Sequence, residues 1–154
     1  MMLRRVQPTE GRELKSWIKL LHYTKATPPG YRVGLEFVEG RDLIGGMLLG
    51  RPTSRELDDK LILELTRMVF VDAAPKNTES KALAMMRKWV RCWMQEVKLL
   101  LAYSDPSVGH QGTVYLADGW APFGMTRNSK IGWRNRPNRR PEAPSRKQRW
   151  VRTP

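Results

Sequence analysis

Thiol and imidazole are scarce in this chain. Its 154 residues include one cysteine, Cys92, and two histidines, His22 and His110. A single thiol excludes an internal disulfide framework and fits a reducing compartment. No His-x-x-His or Cys-x-x-Cys spacing occurs, so no metal motif is visible. His22, Tyr23, His110 and Asp105 are the candidate donors for a transition metal such as iron. Long apolar runs are absent as well. Nothing approaches the ~20 residues of a membrane span, and the opening Met-Met-Leu-Arg-Arg-Val-Gln-Pro is not the apolar stretch of a signal peptide. The expectation is a soluble, cytoplasmic protein.

Acids are also few: 15 Asp and Glu stand against 28 Lys and Arg, giving a net charge of +13 and a pI near 10.5. Such an excess suits a polyanionic partner. The charge is unevenly placed. Residues 127–154 hold ten Lys and Arg against the single acid Glu142, a net +9. The cations begin with Arg127, Lys130, Arg134, Arg136, Arg139 and Arg140, and Lys/Arg contacts to phosphates release counterions. The segment is rich in Asn, Pro and Arg and lacks apolar periodicity. It reads as a poorly ordered, nucleic-acid-binding arm, in which Trp133 and Trp150 stack on bases.

Residues 1–126 read as one domain. Leu3–Val6 is a short strand. Leu14, Trp17, Ile18 and Leu21 share one helical face over about 11–23, with Pro8-Thr9 at its start. Turn signals between strand-like segments 31–38 and 42–49 predict an antiparallel meander of the two, and the longest, most apolar strand follows over 61–71. Asn77 or Thr78 caps a helix running to about Glu96, with Ala82, Met86, Trp89, Val90, Trp93 and Val97 as its buried stripe. Cys92 beside that stripe reads as an inert structural thiol. Strand 97–103 then completes a right-handed β–α–β crossover to a parallel neighbour.

The chemistry concentrates beyond that last strand. Tyr103-Ser-Asp-Pro-Ser-Val-Gly-His-Gln-Gly-Thr-Val-Tyr115 places Ser104, Asp105, His110 and Tyr115 around a strand's C-terminal end, where open α/β sheets bind ligands. Asp105 is either a turn former or a catalytic carboxylate. Tyr115 is either a core tyrosine or a proton donor. Arg67 interrupts the apolar odd positions of 61–71. It is then paired, ligand-facing, or turned outward by a β-bulge that also splays two parallel strands. The loop through Lys76, Asn77, Thr78 and Ser80 feeds a helix N-terminus and suits a phosphate-bearing cofactor.

The order of elements resembles the GNAT acyltransferase fold, an α/β (α+β) domain with a central mixed, twisted sheet flanked by helices. Gly112–Trp120 is similar to the GNAT segment whose tyrosine acts as general acid, which implies that role for Tyr115. More specifically, Arg67…Pro75-Lys-Asn-Thr-Glu-Ser80 with Tyr103-Ser-Asp-Pro106…Gly109-His-Gln-Gly-Thr-Val-Tyr115 resembles the Mom proteins of Mu-like bacteriophages. That resemblance implies transfer of a carbamoylmethyl group to the exocyclic amine of adenine in phage DNA, protecting it from host restriction inside an infected or lysogenic bacterium. It also implies a link to iron, with His22 and Tyr23 as ligands. The catalytic set is then Asp105, Tyr115, Ser104 and Arg67, acting on a duplex adenine that is flipped out. The phosphate loop has no glycine and carries Pro75, which donates no N–H. The donor is therefore left open between acetyl-CoA and another small molecule. Two alternatives stand beside this reading: an acetyl-CoA-dependent N-acetyltransferase of a protein or small amine, and a non-enzymatic DNA-binding protein.

Overall fold

A computed structural model of the chain describes residues 1–7, 10–127 and 146–154. Seven strands form one sheet: β1 (Met2–Val6), β2 (Val33–Glu39), β3 (Asp42–Gly50), β4 (Ile62–Phe70), β5 (Leu99–Ser104), β6 (Ala121–Met125) and β7 (Gln148–Arg152). Their order is β1-β2-β3-β4-β5-β7-β6. All neighbours are antiparallel except β4 and β5, the pair joined through α2 (Thr78–Trp93). The meander and the parallel crossover are thus as the sequence predicts. Two further helices are α1 (Arg12–Leu21) and α3 (Thr113–Ala117). The expected start of α1 at Pro8-Thr9 lies outside the described residues.

Strand alternation divides the apolar residues between two faces. Met47, Leu49, Leu63, Leu65, Leu100 and Ala102 pack with Ala82, Leu83, Met86 and Val90 of α2. Leu48, on the other face, packs with Leu14 and Ile18 of α1. The two helices therefore cover opposite sides of the sheet. Gly46 makes the α1 contact close, because a Cβ there would lie 2.8 Å from Leu14.

Four expectations are corrected. Trp93 is not part of the buried stripe of α2 but is 74% exposed, and Leu83 takes a buried place instead. Cys92 next to it is exposed. Asn77 adopts a left-handed conformation, φ 66°, and neither it nor Thr78 caps α2 with a side-chain bond; the Thr78 hydroxyl donates to the Pro75 carbonyl instead. The domain does not end at residue 126, because residues 148–152 of the expected arm are strand β7. They insert between β5 and β6 in register, Ala102 opposite Trp150 and Ser104 opposite Gln148. Trp150 is consequently buried in the main core and is no exposed stacking residue. Its β-branched neighbour Val151 and alternating polar residues make Gln-Arg-Trp-Val-Arg a strand pattern, which the surrounding charge obscured. Trp133 and residues 128–145 generally lie outside the described residues.

Candidate active site

The site begins where the sheet comes apart. β4 and β5 pair from Ile62 opposite Leu99 to Leu65 opposite Ala102, and there the pairing stops. β4 runs on to Phe70 beside β3, and β5 runs on to Ser104 beside β7. A bulge in β4 accompanies the parting. Leu48 faces Arg67 and Leu49 faces Leu65, leaving Thr66 as the extra residue, its hydroxyl donating to the Leu48 carbonyl. One extra residue reverses the alternation. Leu63 and Leu65 face α2 before the bulge, and Met68 and Phe70 face it afterwards, while Val69 joins the α1 side. This is why an arginine interrupts the odd positions. Arg67 leaves the apolar face, and its Nε donates to the Ala26 carbonyl (2.8 Å) and its Nη1 to the Thr66 carbonyl (2.6 Å).

On the α1 side of the opening lie His22, Tyr23 and His110. The Tyr23 ring sits 4.5 Å from that of His22 and 4.7 Å from that of His110. The loop after β5 thereby touches the end of α1 across the cleft. His22 is buried, and its pKa is held down to about 4, first by burial and then by Arg67, His110, Lys147 and Lys25. The imidazole is therefore neutral near pH 7. Its Nδ1 is held by Thr24, whose amide lies at 3.2 Å and whose hydroxyl lies at 2.9 Å. Among the described residues no three His, Cys, Asp or Glu side chains converge on a point. The arrangement does not fit the expected iron site at His22 and Tyr23.

Glu64 shares this face and was missed in the sequence, where it sits at an even position of an apolar run. It is 4% exposed and accepts from the Thr53 amide (2.6 Å) and hydroxyl (3.1 Å). Burial raises its pKa, opposed by Thr53, Arg67 and Lys147. Tyr103, also on this face, has its phenol raised by burial and by Glu64. An acid within a strand of leucines is the signal that could have revealed it.

On the α2 side lie Ser104 and Tyr115. The Ser104 hydroxyl is buried and accepts from the Trp150 indole, 2.8 Å. Tyr115 stacks on Trp150 at 5.8 Å and meets Trp120 edge-on at 5.3 Å. Gly112, at φ +78°, lets Trp150 pass, since a Cβ there would lie 2.2 Å from the indole. Trp120 is fixed in turn by Asp118, which also takes a two-pronged bond from Arg87 of α2, 2.8 Å on each arm. Burial holds the Tyr115 phenol far above its usual range, with Tyr23, Glu79 and Glu64 acting the same way. It stays protonated, the state a proton donor requires.

Asp105 is 7% exposed at the end of β5. Its Oδ1 accepts from the Ser107 amide (3.0 Å) and hydroxyl, capping the short 3-10 turn Pro106–Val108. Its carbonyl accepts from the His110 amide, 3.1 Å. The turn-forming contacts are therefore present, and they hold the carboxylate at the mouth of the opening. The loop 76–80 lies at the N-terminus of α2. Thr78 and Ser80 turn their hydroxyls back onto the carbonyls of Pro75 and Asn77, and Lys76 is exposed. Of the expected DNA contacts, Arg127 is described and exposed, while Lys130, Arg134, Arg136, Arg139 and Arg140 lie outside the described residues. The chain leaves β6 at Met125 and re-enters β7 at Gln148, paired with each other and next to Ser104.

The expected catalytic residues and metal candidates thus fall into one region, with Ser104 and Tyr115 behind the opening and Arg67, His22, Tyr23 and Asp105 before it. Two concavities elsewhere among the described residues, one along α1 and one around residues 51–60, include none of them.

Residues 4–144 match the model of the Mom protein family. The chain is 31% identical over 111 residues to the methylcarbamoylase mom of Escherichia phage Mu, covering 67% of this chain and 46% of that protein. It thus spans about half the length of the curated relative it matches. Its structure is similar to an acetyltransferase of the GNAT family from Streptococcus pneumoniae, at TM-score 0.65 and 11% identity over 99% of this chain and 98% of that one. It is also similar to an aminoglycoside 6'-N-acetyltransferase complexed with coenzyme A, at TM-score 0.68 and 13% identity over 99% and 97%. The fold is that of the GNAT acetyltransferases.

Proposed function

The chain belongs to the Mom protein family, and on that premise we propose that it is a transferase adding a carbamoylmethyl group to the exocyclic amine of adenine in DNA. The modification would shield phage DNA from host restriction nucleases. The observation that carries this reading is the parting of β4 and β5 after Leu65 and Ala102, with acid, base and cation gathered round the gap. An opening through a sheet lets a donor enter from one face and an acceptor from the other.

In this reading the donor is a small molecule that carries the carbamoylmethyl unit on a leaving atom, since the acetyl group of acetyl-CoA has no amide nitrogen to transfer, and its anionic end lies at Lys76, Asn77, Thr78 and Ser80. The adenine is flipped out of the duplex and approaches from the α1 side. Its amine is a weak nucleophile because the lone pair is delocalised into the ring. Asp105 accepts the amine proton as the new C–N bond forms, and Tyr115 gives its proton to the departing atom of the donor. Arg67 holds a phosphate or carbonyl of either partner, and Ser104 fixes the Tyr115–Trp150 stack from beneath. Arg127 and the basic residues that follow it bind the DNA backbone.

The test is mass spectrometry of nucleosides from plasmid DNA made in cells expressing the protein. A new adenosine species heavier by one carbamoylmethyl group is expected. It should be lost in Asp105→Asn, which keeps the oxygen that caps the 3-10 turn but removes the charge. Wild-type modification by Asp105→Asn would remove the carboxylate from the chemistry. A second reading, acetyl transfer to a protein or small amine, is favoured by the acetyltransferase fold. Unmodified adenosine together with tight acetyl-CoA binding and amine acetylation would establish it instead.

A further inference from the structure

We propose that the solvent face of α1 is a binding surface for the phosphodiester backbone of duplex DNA. The proposal rests on the DNA-modifying reading above and extends it to a surface outside the C-terminal basic segment.

Arg12, Lys15, Ser16 and Lys19 recur at i, i+3, i+4 and i+7, so all four lie on one side of the helix. The opposite side carries Leu14 and Ile18, already buried against Leu48. Those two side chains are consumed by the core, and the large apolar side chains that α1 leaves exposed, Leu20 and Leu21, are confined to its last turn. The cationic face is open: Arg12, Ser16 and Lys19 are exposed, and with Thr27 the four residues line a shallow concavity of about 210 Å³. Among the described residues none of the three cations is in an ion pair. Lys15 donates to the Pro29 carbonyl at 3.3 Å, which satisfies a hydrogen bond without neutralising the charge. The neighbouring Glu13 projects about 100° round the axis from Arg12.

Length and direction fit a strand of DNA. From Arg12 to Lys19 the helix rises roughly 10 Å, the length of duplex axis over which one strand carries about three phosphates at 3.4 Å each. The helix then ends at Leu21 and delivers His22 and Tyr23 to the mouth of the cleft, where Tyr23 meets His110. A backbone lying along α1 is thereby led to the opening between β4 and β5. Lys25, which donates to the Leu20 carbonyl at the helix end (2.6 Å), and Lys147, whose charge reaches His22, continue the positive track.

The experiment is fluorescence anisotropy of a labelled mixed-sequence duplex with the full chain across a potassium chloride series. The wild type is compared with the triple variant Arg12→Gln/Lys15→Gln/Lys19→Gln. A control of equal charge change, Arg41→Gln/Lys81→Gln/Lys88→Gln, removes exposed cations from the β2–β3 turn and from α2. Three lost phosphate contacts should lower the slope of log K against log salt by roughly 2–3, and Lys19→Gln alone by about 0.9. The control should keep the wild-type slope, and thermal midpoints should be unchanged. Equal slopes for wild type and the α1 variant, or equal losses in variant and control, would overturn the proposal. A loss confined to single-stranded RNA would overturn it too. A wild type that binds no DNA would instead sink the DNA-modifying reading itself.

Discussion

Among the described residues, nineteen buried side chains gather in the cluster under α2, and three gather under α1. The α2 face is a continuous apolar layer from Val33 to Trp150. The α1 face has an apolar patch at Leu14, Ile18 and Leu48 and then turns polar, with Glu64, Arg67, His22 and Tyr103 where the strands part. Both faces belong to the same strands, so the difference is one of alternation and of one extra residue in β4. A sheet stabilised mainly from one side can open on the other. The packed face positions Tyr115 and Ser104 through Trp150, Trp120 and Gly112, and the polar face is free to receive a charged ligand.

The strongest way to break this comparison is to damage the packed face. Met86→Ala in the middle of α2 removes a fully buried side chain and should cost about 2–5 kcal/mol in urea unfolding. A cost below about 1 kcal/mol would mean that the α2 layer is not the main source of stability.

A smaller effect should appear on the polar face as the pH falls. The folded pKa of His22 is lowered from 6.5 to about 4. Between those values the unfolded chain takes up a proton that the folded protein refuses, so stability present above pH 6.5 is lost as pH falls toward 4. Urea midpoints should therefore drop over that window, and less steeply in His22→Gln. Identical pH profiles for the two proteins would show that His22 is not held neutral.

The smallest effect belongs outside both faces. Trp93→Ala on the exposed side of α2 should shift stability by no more than about 0.5 kcal/mol. A larger loss would restore Trp93 to the buried stripe that helical periodicity assigns it.

Why periodicity misassigned Trp93 is instructive. It lies one turn beyond Trp89, and spacing alone cannot tell that the core contacts pass from Val90 to Met94 and Val97 while Trp93 stays in solvent. The meander, the crossover and the cluster after β5 were legible because apolar alternation, turn residues and a helical stripe each recur over several positions. The bulge in β4 was legible as an alternative, since one arginine in an apolar phase demands either a partner or a phase shift, and the structure has both. Strand β7 was not legible. Five residues inside a segment of net charge +9 carry too little apolar signal, and their place between β5 and β6 is set by contacts far away in the chain. Glu64 was hidden for a related reason: it becomes significant only through Thr53 and through the gap that exposes its face. The pair His22-Tyr23 is a metal candidate only through the family resemblance, and among the described residues no three His, Cys, Asp or Glu side chains converge to complete a site.

The central claim is that chemistry takes place at the opening between β4 and β5, with Tyr115 as the proton donor. Tyr115→Phe removes one oxygen and leaves the stack on Trp150 and Trp120 in place. The measurement is the fraction of modified adenosine in plasmid DNA from cells expressing this variant, with its thermal midpoint taken alongside. The account predicts a fall of roughly 10²–10⁴-fold, the usual contribution of a positioned acid, at an unchanged midpoint. Wild-type modification by a stably folded Tyr115→Phe protein would contradict it and return Tyr115 to the core.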